Sequence, residues 1–568
     1  MIIVGINSYF EHPAVAVIAD GKVCFAAEDE RFTGIKHGCR YSPYRTYLPV
    51  RALYHALRTC GIRSCDVTEI AYSYSGVDHL LSLWGCLTGR RFSTVREEFA
   101  AWRSLRHVRA SLCGGYEIPT GYRAILDPSA LAAASYSEWN HHLAHAASAF
   151  HCSGFDEALT VVSDGAGEAS ATSVYVGRGS TLVRIGRVDL PHSLGILYSL
   201  VTRHLGFEPF ADEYKVMGLA AYGTPTYAEA FRRLVTLRQP AAYRIDKLLL
   251  QNLEAILGPA RAPDAPLEST HMNIARSLQQ RLEEALEHVV TAYLSRTRLR
   301  RLCLAGGTFM NCVANGRLAV LPGVDEVFVQ PAAHDAGTAL GAAILSHRRL
   351  GGAMPVTFSS ASLGTSYADK EMVTALRDAG IPYRRLTDEA LVDEIAARLE
   401  RGQIGALFRG RMEFGSRALG MRSIIASPSA PNMRDRLNAI KGREDFRPVA
   451  PMVVGEAFDR FFEGVPNRYM AMTARVRAVA RPLIPAAVHV DGTARPQVVW
   501  VDQDPFMHAL LCACERRTGV PVVINTSLNL RGKPIVESPI DALACFCTSS
   551  MEFLVLGQLL VSKVAASV

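Results

Sequence analysis

Two stretches of this sequence, far apart in the chain, follow one plan: a short apolar strand, a polar turn and a returning strand. Ile2–Asn7, Val15–Ile18 and Val23–Ala26 are β-branched or small apolar runs, and Asp20-Gly21 between the last two marks a hairpin turn. Ala158–Ser163 repeats the pattern, breaking at Asp164-Gly-Ala-Gly-Glu168 and resuming at Ala171–Val176. A plan that recurs in this way predicts an internally duplicated domain. The chain has 568 residues, more than one hydrophobic core usually organises, so at least one further domain is expected.

Apolar residues at Ile274, Leu278, Leu282, Leu286, Val289 and Tyr293 recur every three or four positions, which predicts a helix. It leads to a buried strand, Leu302–Ala305, then to Gly306-Gly307-Thr-Phe-Met-Asn311, and Asp335 opens a helix of small residues. Strands that run into glycines and then helices favour an α/β fold with ligands at strand ends. The Gly-, Pro- and Ser-containing stretch from Gly351 to Ser360 reads as a linker, which divides the chain into 1–355 and 356–568. Beyond it the pattern predicts a helix at Leu391–Leu399 and a strand at Ile404–Phe408. A basic, glycine-containing stretch follows from Gly410 to Arg447, and a final strand at Val520–Ile524 delivers Asn525, Thr526 and Ser527.

Composition excludes several classes. Half the residues are hydrophobic and a fifth are charged, without low-complexity tracts, as in ordinary globular proteins. The 13 cysteines are scattered with no zinc-site C-x-x-C spacing, which fits reduced thiols and a cytoplasmic location. No secretory leader or membrane-length apolar run is apparent. The net charge of +7 is mild and dispersed, so neither nucleic acid nor a membrane surface is an expected partner. Arg90, Arg91, Arg96, Arg103, Arg106 and Arg109 form a local basic zone, read first as a solvated helix face.

Two groups of residues could carry chemistry. His141 and His145 are spaced to project from one face of a helix. With Asp164 and Asp335 they make a donor set suited to iron, manganese or zinc, although a lone Asp beside Gly is more often a turn or helix cap. Gly306-Gly307 would let backbone approach a nucleotide, with Asn311 as a hydrogen-bonding partner. In the C-terminal part Arg417, Arg422, Lys441, Arg443 and Arg447, together with Asn525 and Ser527, offer cations and neutral donors for several phosphate oxygens. The plain alternative is a surface charge network.

The wording of these segments resembles the NodU/CmcH-type O-carbamoyltransferase family nearly end to end. It is carried by Glu28-Asp-Glu-Arg-Phe with Lys36-His37, His141-His-Leu-Ala-His145, Asp164-Gly-Ala-Gly-Glu168, Tyr214-Lys-Val-Met-Gly-Leu-Ala-Ala-Tyr-Gly223 and Gly306-Gly-Thr-Phe-Met-Asn311. In the second part it is carried by Gly410–Ser423, Lys441-Gly-Arg-Glu-Asp-Phe-Arg447 and Asn525-Thr-Ser-Leu-Asn529. The resemblance implies an α/β protein with two domains. The first would have the duplicated actin and sugar-kinase fold (ASKHA), similar to the tRNA threonylcarbamoyl-transfer enzymes, and the second a YrdC-like fold. It further implies that the second domain uses carbamoyl phosphate and ATP with Mg²⁺. Released carbamate would attack the α-phosphate, giving carbamoyladenylate and pyrophosphate, with Arg417, Arg422, Lys441, Arg447, Arg495, Asn525 and Ser527 around the reacting groups. The first domain would then bind the adenylate through Lys36, Gly306, Gly307 and Asn311. There Fe²⁺ or another divalent metal on His141, His145, Asp164 and Asp335 would assist transfer to a small-molecule hydroxyl acceptor.

Family members place a histidine after the first strand as base for the acceptor hydroxyl, whereas here Glu11 stands at its aligned position and His12 one place later. Both are candidates, and His12 is preferred because its unperturbed pKa lies nearer neutrality. Rival readings are a catalytically silent nucleotide-binding regulator, a sugar- or acetate-type kinase, and threonylcarbamoyl transfer to tRNA. Residues 76–119 match the family least and are expected to shape the acceptor pocket. Acceptor identity and pairing as a homodimer are left open.

Overall fold

The structure, a computed structural model, describes residues 1–8, 11–38, 48–75, 122, 125–354, 358 and 360–563. The basic zone and the 76–119 segment expected to shape the acceptor pocket lie outside the described residues, as does part of the expected linker. The chain divides into two compact units, Met1–Phe358 and Ser359–Val568. Both are mixed α/β. Among the described residues no helix is long and apolar enough to cross a membrane.

The first unit holds two five-stranded sheets of the same topology. In one, β1 (Ile2–Asn7), β2 (Ala14–Ala19) and β3 (Lys22–Glu28) form an antiparallel meander, and β4 (Glu69–Tyr72) and β5 (Ser135–Glu138) add parallel strands on the far side of β1. In the other, β6 (Glu157–Gly167), β7 (Ser170–Arg178) and β8 (Thr181–Asp189) form the meander. Two parallel strands again extend it beyond β6. They are β11 (Arg301–Ala305) and β12 (Glu326–Val329), which follow a separate hairpin of β9 (Val235–Arg238) and β10 (Ala242–Ile245). The orders β3-β2-β1-β4-β5 and β8-β7-β6-β11-β12 are therefore one arrangement used twice.

Small residues bring the central helices close enough to place the polar groups. A Cβ at Gly5 of β1 would lie 1.9 Å from the Ala339 carbonyl oxygen, and one at Gly341 would lie 1.8 Å from that of Ala144. The helix Ala336–Arg349 thus packs by its backbone against β1 and against the helix His141–Phe150, which only glycine permits. The predicted helix around Ile274–Tyr293 runs longer, over Ser269–Thr297.

In the second unit Gly405–Phe408, Arg422–Ala426, Val522–Ser527 and Ala450–Val454 lie side by side, each antiparallel to the next. They form the middle of an eight-stranded sheet. The strand expected at Val520–Ile524 in fact runs to Ser527 and so contains Asn525. It is not the last strand, because Phe553–Leu556 and Leu559–Ser562 follow as a hairpin. The alternation that signals a half-buried strand is missing there, since seven of those eight residues are buried.

Candidate active site

His141 and His145 stand one turn apart on a buried helix whose N-cap, Asn140, accepts from Leu143 N. Their Nε2 atoms face each other at 3.2 Å. Asp164 Oδ2 lies 3.3 and 3.7 Å from the two nitrogens, and Asp335 Oδ1 lies 3.5 and 3.7 Å from them. All four residues are buried. Four donors each about 2.0–2.2 Å from one ion stand about 3.3–3.6 Å apart if tetrahedral, so these side chains could hold a divalent metal with little movement. His141 Nδ1 is 3.3 Å from the Ser73 carbonyl. That oxygen can only accept, so Nδ1 carries a proton and Nε2 is the nitrogen turned to the cluster, as in many metal-bound histidines.

The aspartates arrive by two different routes. Asp164 sits in β6 where its pairing with β7 shifts register between Ser163 and Gly167, a bulge of the kind that re-aims side chains at sites. Its Oδ1 accepts from Gly307 N at 2.9 Å. Asp335 stands at the N-cap of its helix but makes no side-chain cap bond, so its carboxylate is turned to the histidines rather than used locally. Without a cation the cluster is charged. Burial opposes protonation of His141, but Asp335 and Asp164 outweigh it and hold its pKa up to about 10. Burial would raise Asp164, and its hydrogen bonds to His141 and His145 instead hold it well below the carboxylate range. A divalent ion would take the place of that proton.

Glu168, in the sequence only the last residue of the Asp164–Glu168 stretch, turns out to order the ligand helix. Its Oε1 accepts from the backbone N–H of His141 (2.9 Å) and Ser75 (3.2 Å), and its Oε2 from Asn140 Nδ2 (2.8 Å). It therefore fixes the start of the ligand helix. Glu168→Ala is expected to weaken metal binding about 10- to 100-fold, the usual cost of losing a group that orients a ligand. Competition against a chromophoric chelator would read this, and Glu168→Gln, which still accepts, should lose less.

Gly306 has a φ of 99°, and a Cβ there would lie 2.2 Å from the Ser163 carbonyl oxygen. The glycine pair thus lets the β11 end touch the β6 end, and Gly307 N holds Asp164. Asn311 is occupied locally. Its Oδ1 caps the next helix through Ala314 N, and its amide pairs with Gln279. Lys36 Nζ lies 5.5 Å over the Tyr214 ring.

At the end of β1, Asn7 is fully buried, and its Nδ2 donates to the carbonyls of Glu11 and His12. This clamp holds His12 at a φ of 52°, where non-glycine residues are strained. The surroundings shift the two candidate bases in opposite directions. Burial, then Asp335, Glu213 and Asp164, raise the Glu11 pKa well above its usual value. Burial, then His334 and His37, lower that of His12. The Glu11 side chain keeps 37% of its exposure, so it lies deep in protein yet open to a small molecule.

In the second unit, Lys441 at the end of its helix donates to the Ser527 carbonyl, Ser527 Oγ (3.1 Å) and Asn529 Oδ1 (2.6 Å). Arg443 donates to Thr526 Oγ1 at 3.2 Å. Asn525 Nδ2 donates to Gln497 Oε1 and to the Ala418 carbonyl, both at 2.8 Å, which draws the neighbours of Arg417 and Arg495 to one strand end. Arg447 lies 3.6 Å from Glu444. Arg422 joins the same strand end by its backbone, its carbonyl accepting from Leu528 N at 2.9 Å. It is fully buried, stacks at 3.7 Å on Phe408, and donates to the carbonyls of Arg409, Gly410, Met421 and Thr365. Its guanidinium thus ties the loop before it to the Thr365 segment. Buried Glu413 serves the same loop, accepting from the N–H groups of Leu419, Met421 and Arg422.

Residues 122–344 match the family described as Carbamoyltransferase N-terminus, and residues 396–563 match Carbamoyltransferase C-terminus. Nodulation protein NolNO of Sinorhizobium fredii is 35% identical over 99% of this chain and 80% of its own. The 3'-hydroxymethylcephem-O-carbamoyltransferase of Amycolatopsis lactamdurans is 35% identical over 60% of this chain and 62% of its own. The uncharacterised protein sll1178 of Synechocystis is 33% identical over 99% and 97%. The chain belongs to the carbamoyltransferase family and is a transferase.

Proposed function

We propose that this chain is an ATP-dependent O-carbamoyltransferase. In this reading its second unit, of YrdC-like type, joins carbamate from carbamoyl phosphate to the α-phosphate of ATP, giving carbamoyladenylate, pyrophosphate and phosphate. The first unit, of actin and sugar-kinase type, then moves the carbamoyl group to a hydroxyl of a small molecule and releases AMP. The observation that carries this is the pairing, in one chain of this family, of the buried His141–His145–Asp164–Asp335 cluster with the Lys441–Ser527–Asn525 strand end. The acceptor class follows the Amycolatopsis relative, whose name specifies a hydroxymethyl group.

Each step has residues suited to it. Arg417, Lys441, Arg447 and Arg495 offer positive charge where phosphate oxygens must be held while pyrophosphate leaves. Ser527 and Asn525 orient the carbamate. Arg422 and Glu413 set the loop that presents Arg417. In the first unit the Gly306-Gly307 turn admits the adenylate beside Asp164, with Lys36 as a cationic partner. A divalent ion, Fe²⁺ by family resemblance, held by the two histidines and two aspartates would supply fixed charge to grip phosphate and polarise a carbonyl. Glu11, standing where the family places its base and carrying a raised pKa, takes the proton of the attacking hydroxyl.

The test is pyrophosphate release by the purified chain given ATP, Mg²⁺ and carbamoyl phosphate. Release is expected only when carbamoyl phosphate is present, and an Arg417→Ala, Lys441→Ala double variant should lower it about 100-fold, as loss of charge-stabilising donors does elsewhere. ADP as product, or release indifferent to the double variant, would sink the reading.

A further inference from the structure

A second group of side chains with donor atoms suited to a metal lies outside the cluster already described. One donor atom from each of His12, Glu30 and His37 lies within 4.8 Å of the other two. We propose that these three residues form a second divalent-cation site, for a transition-metal ion, separate from that of His141, His145, Asp164 and Asp335.

Three observations bear on it. First, neither ring nitrogen of His37 has a hydrogen-bond partner among the described residues, although both atoms are buried. A buried imidazole left without partners is costly, and such a group calls for an explanation such as an ion. Second, the backbone goes to some length to bring the two histidines together. His12 and His37 both have left-handed backbones, with φ of 52° and 64°, and His12 N donates to the His37 carbonyl at 3.2 Å. Their rings meet edge to face with centroids 4.9 Å apart. Glu30 joins from the other side, its Oε2 accepting from His37 N at 2.6 Å. Strain held by hydrogen bonds at two histidines is characteristic of a site rather than of a connecting loop. Third, one wall is already built. His334 stacks on His12 with centroids 4.1 Å apart, its Nδ1 engaged by Ala336 N and its Nε2 3.8 Å from Glu28.

Two imidazoles and one carboxylate suit zinc, iron(II), cobalt or manganese, whereas calcium and magnesium prefer all-oxygen sets. The charge balance sets the affinity relative to the first site. Arg31 Nε lies 3.7 Å from Glu30 and 3.6 Å from Glu28, so part of the local negative charge is already offset. Among the described residues, the two aspartates of the first cluster have no arginine or lysine ion-pair partner. The second ion should therefore bind more weakly and leave first. Its place beside Glu11 would put a positive charge next to the residue proposed to receive the acceptor's proton. The assignment of the ion itself stands on the geometry of the three side chains and does not depend on that role.

Equilibrium dialysis of the chelator-stripped full chain against Co²⁺ alone tests the site. Wild type is expected to take up two equivalents, the weaker one adding its own visible ligand-field bands. His37→Gln and Glu30→Gln should each reduce uptake to one equivalent. His145→Ala should remove the tighter equivalent and keep the weaker. A wild-type count that stops at one overturns the assignment whatever the variants do. So does a count of two in both His37→Gln and Glu30→Gln chains whose circular dichroism matches wild type. Because the readout is bound metal, failure here is distinct from failure of the carbamoyl-transfer reading.

Discussion

Replacing Asp164 with asparagine is expected to lower carbamoyl transfer to the acceptor by about 10³- to 10⁴-fold, since a catalytic metal supplies several kcal/mol and each 1.36 kcal/mol is tenfold. Pyrophosphate release, assigned to the other compact unit, should continue. Asparagine is the informative choice because its oxygen can still accept from Gly307 N, so the turn survives while a negative charge is lost. Measured metal content should fall in step with transfer. A variant that keeps full transfer without metal would remove the cluster from the reaction.

The same cluster predicts a difference between loaded and stripped protein. With His141 held up to about 10 by Asp335 and Asp164, its protonated form stabilises the metal-free fold. That contribution is complete below the free imidazole value of about 6.5 and is lost as pH rises towards 10. Thermal unfolding of stripped protein should therefore weaken from neutral to pH 10. Metal-loaded protein, in which His141 must already have shed its Nε2 proton to bind, should lack that slope. Equal slopes would mean that the ion is held elsewhere.

How much of this was legible beforehand depended on whether a residue's task is local. The two hairpins could be read because a strand pair joined by a short turn is encoded within a few residues, although the second turns at Glu168-Ala169 and its first strand runs on through Asp164 to Gly167. The i, i+4 spacing of His141 and His145 is likewise local, and the structure brings them together with Asp164, which lies within β6 rather than at its end, and with Asp335 at a helix start. Glu168, Asn7 and Glu413 could not be found that way. Glu168 accepts from the remote backbone of Ser75 and His141, which only tertiary packing brings within reach, whereas Asn7 and Glu413 bind the backbone of irregular loops within nine residues, whose course no periodic pattern encodes. The inward turn of Arg422 left one faint signal, since it opens a strand whose next four residues are all buried. The members of the His12–Glu30–His37 group stand in segments the sequence singles out, but no spacing joins them as a ligand set, because they come from a turn, a short helix and a loop. The preference between Glu11 and His12 rested on unperturbed pKa values, and burial acts on those with opposite sign for an acid that is anionic and a base that is cationic when charged.

The raised pKa of Glu11 yields the second large effect. Glu11→Gln is expected to lower acceptor carbamoylation about 10³-fold, within the usual contribution of a general base, while His12→Gln should cost less. The pH dependence follows from the direction of the shift. A base must be deprotonated to act, so kcat/KM for the acceptor should rise with pH through the Glu11 pKa. Burial is the largest cause of the raised value, with the carboxylates of Asp335, Glu213 and Asp164 behind it. A cation at Asp164 and Asp335 would cancel much of the carboxylate contribution and leave the burial. The acid limb should accordingly lie above the ordinary carboxylate value of 4.5 and move further up in Glu11→Asp only if the shorter side chain sits deeper among the aspartates. In Glu11→Gln the limb should vanish along with most of the rate. If instead the limb persists in Glu11→Gln and disappears in His12→Gln, the proton goes to His12 and the aligned position of Glu11 has been given up to its neighbour.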